Sequence, residues 1–238
     1  MKWLLLADVH SNLEALQAVL SDAKKTGFSK VLCLGDIVGY ASNPNECIEL
    51  LRKQNAVCLL GNHDAAVAGI IGIEWFNPLA AECIEWTKQV IKKENISFLQ
   101  ELPKFFSTGE ILFVHGTPSD PLMAYMDAIA AEEVMRASEE KIVICSHSHK
   151  PFRIEHNKEA KNISGSEKFS IANKRMVVSI PSTGQPRDGN AKAGYAIIDF
   201  KEQTMEIKRI VYDIAKAAQK IIAAKLPAFE AERLFVGR

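Results

Sequence analysis

Composition and charge restrict the kinds of protein that this chain can be. It has 238 residues, 47% of them apolar, and its 29 basic and 29 acidic side chains leave a formal net charge of zero. A chain without net positive charge has no bulk attraction to nucleic acid or to an anionic membrane, so we expect no stable partner of either kind. No apolar run approaches the ~20 residues that cross a bilayer. Because no linker divides the chain, we expect one domain over residues 1–238. Because no run could cross a membrane, we expect this domain in the cytoplasm.

The first half of the chain alternates predicted strands and helices. Lys2–Ala7 is a short apolar run bounded by polar residues, which predicts a strand buried on both faces rather than a signal peptide. Ser11 and Glu14 form a capping-box pattern for a helix that should end at Gly27. Further strands are predicted at 31–34 and 57–60, and further helices from Asn43-Pro44 and from Pro78 to about Asn95.

The second half is richer in strands. Short apolar runs predict strands at Ile111–Val114, Ile142–Cys145, Phe152–Glu155, Phe169–Ala172, Met176–Ile180, Tyr195–Phe200 and Glu206–Val211. The polar stretch 157–168 predicts a hairpin tip or a loop, and 214–224 predicts an Ala-rich helix. The five cysteines are odd in number and form no Cys-x-x-Cys pair, so we expect free, buried thiols in a reducing compartment.

Polar residues of metal-ligand type directly follow five of the apolar runs. They are Asp8-Val9-His10, Gly35-Asp36, Gly61-Asn62-His63-Asp64, His115-Gly116 and Ser146-His147-Ser148-His149. Each segment alone has an ordinary explanation, as a turn carboxylate, a helix cap or a packed imidazole. Of the six histidines, however, only His156 lies outside these segments. Since sites in open α/β sheets lie just beyond the carboxyl ends of the strands, we expect the five segments to form one site.

The residue types in these segments indicate metal chemistry. Imidazole and carboxylate ligands suit zinc, iron and manganese, and no thiolate at the strand ends indicates a structural zinc site. The candidate ligands are too many for one tetrahedral ion and suit two ions about 3.5–4 Å apart that share a carboxylate. In an extended segment His147 and His149 would point the same way, ~6.6 Å apart, and could serve different ions. We therefore expect two divalent transition-metal ions, which could be Mn, Fe, Ni, Co or Zn.

In order and spacing, the five segments resemble the five motifs of the calcineurin-like metallophosphoesterase superfamily. The resemblance implies a four-layer α/β/β/α sandwich, in which two mixed β-sheets lie face to face with helices outside. It also implies hydrolysis of a phosphoester through attack on phosphorus by a metal-bound hydroxide.

The resemblance also implies a role for each matching residue. The ligands of one metal would be Asp8, His10, Asp36 and His149. The ligands of the other would be Asp36, Asn62, His115 and His147, with Asp36 as the bridge and Asn62 also near the substrate. His63 would be the catalytic histidine that binds no metal and protonates the leaving oxygen or stabilises the transition state. Asp64 would orient His63.

Two later segments narrow the resemblance. Phosphoprotein phosphatases and symmetrical dinucleoside tetraphosphatases carry an arginine soon after the second motif, and residues 35–40 contain none. Residues 43–47 and 184–189, with the Leu226-Pro227 tail, instead resemble a bacterial and archaeal subgroup of small phosphodiesterase-like proteins. Arg187 is the candidate phosphate grip, because a guanidinium fork suits phosphate oxygens; its other explanation is that it stabilises the loop.

The chain departs from the family pattern at two places near the site. Ser146 stands where the family usually has glycine, and Ser179–Ser182 replace the usual Asn-Pro-Gly-Ser. No metal ligand is lost, but both changes affect the expected shape of the pocket wall.

We therefore expect a dinuclear-metal phosphoesterase that acts on a small phosphoester, either a phosphodiester or a nucleotide. A phosphomonoesterase for nucleotides stays open as an alternative, as does a non-catalytic scaffold, which the intact ligand set disfavours. A polymeric substrate would need many Lys and Arg contacts, and no dense basic run lies near the motifs. Apolar and aromatic surface that suits one base or aryl group is expected from Val38, Tyr40, Ala65, Val67, Met123 and Tyr125. The sequence does not determine the oligomeric state.

Overall fold

Two six-stranded β-sheets form the centre of the fold. The computed structural model describes residues 1–238. In chain order the strands are β1 (Lys2–Leu6), β2 (Lys30–Cys33), β3 (Val57–Cys58), β4 (Phe105–Ser107), β5 (Ile111–Val114), β6 (Ile142–Cys145), β7 (Phe152–Glu155), β8 (Lys161–Asn162), β9 (Glu167–Ser170), β10 (Met176–Ser179), β11 (Ala193–Asp199) and β12 (Thr204–Ile210). The first sheet has the order β3-β2-β1-β11-β12-β9 and the second β4-β5-β6-β10-β7-β8. Each contains parallel and antiparallel pairs, so both are mixed.

Eight α-helices cover the outer faces of the sheets. They are α1 (Leu13–Ala23), α2 (Pro44–Lys53), α3 (Asn62–Val67), α4 (Pro78–Val90), α5 (Lys93–Gln100), α6 (Ala128–Ala137), α7 (Ile214–Ala223) and α8 (Ala228–Val236). None of them combines the length and the apolar character that crossing a membrane requires.

Alternating side chains of the strands build the layers. In β1, Trp3 and Leu5 belong to the core between the two sheets, whereas Leu4 and Leu6 belong to the core between the first sheet and its helices. This is the two-residue period of a strand buried on both faces. Helix α6 packs on the outer face of the second sheet through Ala131 and Met135. The four-layer sandwich expected from the sequence is therefore confirmed.

The helix predicted from Pro78 to about Asn95 is wrong, because the chain forms two helices there. Ile91 and Lys92 adopt extended backbone angles between α4 and α5. The side chain of Asn45, on α2, donates to the carbonyl of Val90 at 2.9 Å and accepts from the amide of Lys92 at 2.9 Å. It therefore binds backbone groups at the break between the two helices.

The beginning of α1 also differs from the prediction. The N-cap is Asn12, whose Oδ1 accepts from the amide of Ala15 at 3.1 Å, and Ser11 instead lies at a positive φ of 57°. The Glu14 carboxylate does not complete a capping box, because it lies 2.6 Å from the Lys220 ammonium of α7. Four elements lack a sequence prediction altogether: α3, β4, α6 and α8.

We expect Asn45→Ala to lower the free energy of unfolding by about 1–2 kcal/mol, because it removes hydrogen bonds to both sides of the helix break. Thermal and urea unfolding measure the change. Glu46→Ala is the matched control, since Glu46 is the next residue of α2 and is exposed. Equal stability of the two variants would contradict the role of Asn45.

Candidate metal centre

The loops that follow β1, β2, β5 and β6 meet at one edge of the sandwich. Strands β1 and β2 are parallel neighbours in the first sheet, and β5 and β6 are parallel neighbours in the second. Their carboxyl ends therefore deliver polar side chains to the same region. Helix α3 begins beside them and carries Asn62 and His63.

The structure brings the seven predicted ligands together as two groups. One ligand atom from each of Asp8, His10, Asp36 and His149 lies within 4.8 Å of the others, and the same holds for Asp36, His115 and His147. Asn62 Oδ1 lies 3.2 Å from Nε2 of His115 and so adjoins the second group. Asp36 belongs to both groups, which is the position of a bridging ligand.

The hydrogen bonds of the imidazoles show which nitrogens are free to bind a metal. Nδ1 of His10 faces the Val38 carbonyl at 3.1 Å, and Nδ1 of His149 faces the Gln185 carbonyl at 2.5 Å. A carbonyl only accepts, so these nitrogens carry the protons and each Nε2 has a free lone pair. The two Nε2 atoms nevertheless lie only 3.2 Å apart.

The second group repeats this arrangement. His115 Nδ1 faces the Leu34 carbonyl at 2.9 Å, and His147 Nε2 faces the Met123 carbonyl at 3.3 Å. Their other nitrogens, both with free lone pairs, are 3.0 Å apart. Lone pairs directed at one another repel unless a cation lies between them, so the donor set fits a metal ion in each group.

Two carboxyl groups lie among these imidazoles, and neither forms an ion pair with Lys or Arg. Asp8 and Asp36 are buried, and neither oxygen of Asp8 has a hydrogen-bond partner. Burial raises the pKa of Asp8 to about 7 and raises the pKa of Asp36 well above its ordinary value. Burial also lowers the pKa of His147 to about 4 and lowers the pKa of His10 well below its ordinary value. The lowered pKa values leave the imidazoles neutral, as metal ligands must be, whereas a bound cation would displace the protons that burial favours on the two carboxyl groups.

Most of the predicted ligands adopt a strained backbone conformation. A positive φ occurs at Asp8 (49°), His10 (47°), Asp36 (53°), His147 (67°) and His149 (58°). Such angles are uncommon outside glycine, cost of order 1–3 kcal/mol each and cluster at functional sites. They also mean that the segment from His147 to His149 is not extended, although the two histidines still join different groups.

Gly61 explains how the second and third motifs approach each other. A Cβ atom at this position would lie 2.2 Å from Oδ1 of Asp36. Only glycine therefore allows Asn62 and the bridging carboxylate to share one site.

His63 lies beside the metal ligands without joining either group. Its amide donates to Oδ1 of Asp36 at 2.9 Å, and its ring lies 4.8 Å from the His10 ring and 4.5 Å from the Tyr40 ring, measured between centroids. Its Nδ1 is buried and has no partner. Burial lowers the pKa of His63 well below its ordinary value.

Asp64 makes no hydrogen bond to the ring of His63, so the expectation that it orients His63 is not supported by a direct bond. Its Oδ1 accepts from the amides of Ile37 and Val38 at 2.9 and 3.0 Å, and its Oδ2 accepts from the amide of Gly61 at 3.2 Å. These bonds occupy the carboxylate. Asp64 instead ties the loop that carries Asp36 to the start of α3.

A cleft of about 290 Å³ opens over the two groups. Four of the candidate ligands and His63 line it, and its wall also includes Tyr40, Trp75, Phe76, Met123, Tyr125 and Arg187. The Tyr125 ring stacks on the ring of His147, with 4.3 Å between centroids and 13° between planes. Trp75 is 70% exposed and Tyr125 is 57% exposed. A cavity of about 360 Å³ at Trp3 and Lys141 contains none of the candidate ligands, so we assign the site to the smaller cleft.

The apolar residues that line the cleft are only in part those expected from the sequence. Tyr40, Met123 and Tyr125 line the cleft. Val38, Ala65 and Val67 do not line it, and their short side chains are buried in the neighbouring hydrophobic clusters. Trp75 and Phe76 were not predicted, since a short loop gives no periodic signal for the direction of a ring.

The two departures from the family pattern both support the site. The Ser146 hydroxyl lies 3.2 Å from Nδ1 of His115 and 3.3 Å from the Leu34 carbonyl. The Ser182 hydroxyl donates to the Asp8 carbonyl at 2.9 Å and accepts from the amide of Gln185 at 2.8 Å. The replaced loop therefore holds the backbone of a metal-ligand candidate.

Comparison with known proteins agrees with this geometry. The family model of the calcineurin-like phosphoesterase superfamily domain matches residues 1–203, and the chain belongs to this superfamily. An uncharacterised protein of Methanocaldococcus jannaschii is 42% identical over an alignment of 240 positions, which covers 98% of this chain and 97% of that protein. The crystal structure of a metallophosphoesterase from Sphaerobacter thermophilus has 34% identity and a TM-score of 0.90, and the match covers 100% of this chain and 99% of that one. A hypothetical protein from Pyrococcus horikoshii shares the fold, with 21% identity, a TM-score of 0.82 and coverage of 100% and 98%.

We expect Asp8→Asn to stabilise the metal-free protein at neutral pH. Burial raises the pKa of Asp8 from 3.8 to about 7, so between these values the folded state holds a proton that the unfolded state has released. The free energy of unfolding of the metal-free wild type therefore falls as the pH rises through this window. The Asp8→Asn variant avoids this fall because asparagine does not titrate. The advantage of the variant should be absent near pH 4 and reach roughly 2–4 kcal/mol above pH 7.

Urea unfolding with a chelator, at several pH values, measures this difference. With saturating Mn²⁺ the wild type should be more stable than the variant, because it then gains binding energy that the variant lacks. A metal-free variant that is less stable than the wild type at pH 8 would contradict the prediction.

Proposed function

We propose that the protein is a two-metal phosphoesterase that hydrolyses a small phosphoester. One observation carries this proposal. In each of the two groups that share Asp36, two imidazoles direct their lone pairs at each other, His10 and His149 in one group and His115 and His147 in the other. Membership of the superfamily supports hydrolysis as the reaction.

The candidate ligands would hold two divalent cations. One ion would take Asp8, His10, Asp36 and His149, and the other Asp36, Asn62, His115 and His147. When bound, such a pair supplies the charge that lowers the pKa of a water to about 7 and stabilises the phosphate oxygens.

Side chains that bind no metal would do the remaining work. His63 would protonate the leaving oxygen or stabilise the transition state, since its ring lines the cleft beside the metal ligands. Burial lowers its pKa, so the first role requires that the negative charge of the bound phosphate raise that pKa again. Arg187 lines the same cleft, and its fork would bind phosphate oxygens. Asn62 would place its amide next to the substrate.

We expect Mn²⁺, Ni²⁺, Co²⁺ or iron to restore activity better than Mg²⁺ after treatment with a chelator. Four of the candidate ligands are imidazoles, whereas Mg²⁺ prefers oxygen ligands. Turnover of an aryl phosphodiester and an aryl phosphomonoester with each metal tests this and also separates the two reaction classes. Full activity in Mg²⁺ alone would count against the assignment, and no turnover with any metal would favour the non-catalytic scaffold.

His63→Ala and Asp36→Ala should fail in different ways. The first should keep its bound metal and lose about 10²–10⁴-fold in kcat, because only proton transfer is removed. The second should lose metal, because the bridging carboxylate is gone. Elemental analysis beside turnover separates the two, and His156→Ala is the control, since His156 lies outside both groups. A metal-free His63 variant would show that its role is misassigned.

The cleft favours a small substrate with a planar group over a polymer. The formal net charge is zero, and Arg187 is the one Lys or Arg side chain in the lining of the cleft. Affinity for nucleic-acid polymers comes mostly from many Lys and Arg contacts to phosphates. The exposed rings of Trp75 and Tyr125 instead offer stacking surface for one base or aryl group. All five cysteines are free and buried, which suits the reducing cytoplasm as its location.

We expect Trp75→Ala to raise KM for an aryl phosphodiester about 2–10-fold with little change in kcat, because a stacking contact is lost. Phe235→Ala is the matched control, since Phe235 is an exposed ring that does not line the cleft. If single-stranded oligonucleotides were cleaved much faster than mononucleotides, cyclic nucleotides and aryl esters, the small-substrate proposal would be wrong.

A further inference from the structure

The C-terminal helix α8 reaches the cleft through a chain of hydrogen bonds. This helix lies beyond residue 203, where the match to the family model ends. Its Glu230 is 1% exposed, and its Oε2 accepts from Nε2 of Gln185 at 2.8 Å. Oε1 of the same Gln185 accepts from Arg187 at two atoms, Nε at 3.1 Å and Nη2 at 2.6 Å.

The chemistry of these three groups leaves only one orientation for the glutamine amide. A guanidinium only donates, so the oxygen of Gln185 must face Arg187. The NH₂ group must then face the other way and needs an acceptor, because an unpaired buried donor costs about 1–3 kcal/mol. Glu230 is that acceptor. Glu230 and Arg187 therefore fix the amide from opposite ends, and both favour the same orientation.

Arg187 is held at the cleft from a second side. Its guanidinium carbon lies 5.4 Å from the centroid of the Tyr40 ring, and Tyr40 lines the cleft beside His63. Arg233, also on α8, lies 5.9 Å from the same ring and donates to Glu230 at 3.2 Å. One buried carboxylate thus orients Gln185 and also binds a second arginine near this ring.

We propose that Glu230 is a positioning residue for the phosphate-binding arginine of this site, acting through Gln185. The proposal rests on the proposed function, in which Arg187 contacts phosphate. Without an acceptor at 230, the NH₂ group of the Gln185 side chain has no partner and the side chain is held only by Arg187. The oxygen that holds the Arg187 fork over Tyr40 is then no longer fixed in place. The backbone of Gln185, whose carbonyl faces His149, is held separately, because its backbone N–H donates to the Ser182 hydroxyl. The metal ligands should therefore be unaffected.

The test uses the full-length, Mn²⁺-loaded protein and two readouts. Calorimetric titration gives the Kd for inorganic phosphate, and turnover of an aryl phosphoester gives KM and kcat. Glu230→Met keeps the length of the side chain and removes the acceptor. We expect it to raise both Kd and KM about tenfold, with kcat and metal content near those of the wild type.

Three further variants make the test specific. Glu230→Gln retains an acceptor oxygen and should recover most of the affinity. Glu232→Met, an exposed position of the same helix, should match the wild type. Gln185→Met should reproduce the effect of Glu230→Met, and it serves as the main variant if the latter does not fold.

A double-variant cycle shows whether Glu230 acts through Arg187. In an Arg187→Ala background, Glu230→Met should cause no further loss of phosphate affinity. An additional tenfold loss in that background, loss of metal from Glu230→Met, or an unchanged Kd would each overturn the proposal. If the wild type binds phosphate and responds to these changes but turns over no ester, the proposed function fails while the role of Glu230 stands.

Discussion

Four buried imidazoles each donate a hydrogen bond to a backbone carbonyl and direct their free lone pairs towards one another and towards two carboxyl groups. In the absence of cations this arrangement costs free energy, because the lone pairs repel and because burial disfavours the ionised forms of Asp8 and Asp36. The left-handed backbone at five of the ligands adds a further cost. The surrounding structure must supply enough stability to hold these groups in place, and the binding of cations would offset the cost.

The sandwich holds the site because parallel strands from both sheets end at the same edge. Connections between the loops then fix the distances between ligands. Asp64 joins the Asp36 loop to α3, Gly61 permits close contact between them, and Ser182 binds the loop that carries Asp8. Helix α8 adds the glutamate that orients Gln185 and, through it, Arg187. The shape of the cleft thus depends on chain segments that lie far apart in sequence.

Local patterns in the sequence were enough to predict most of the strands and to select the seven candidate ligands, whereas the sandwich was expected from the resemblance of the five segments to a known superfamily. Apolar runs mark buried strands, and Asp, Asn and His at their ends stand out against them. Features that depend on distant partners left no such signal. The break after Val90 is made by Asn45, and the partners of Asp64 and Gln185 become visible only when the loops are in place. Exposed rings such as Trp75 carry no periodicity, so their position at the cleft could not be predicted.

The central claim is that Asp36 is shared by two metal ions in one site. Electron paramagnetic resonance of the protein with two equivalents of Mn²⁺ tests it directly, because ions about 3.5–4 Å apart with a common carboxylate are magnetically coupled. The account predicts a coupled dinuclear signal in the wild type, and its loss in Asp36→Ala with at most isolated Mn²⁺ remaining. A wild-type spectrum of only isolated ions, at full occupancy of both sites, would contradict the shared site.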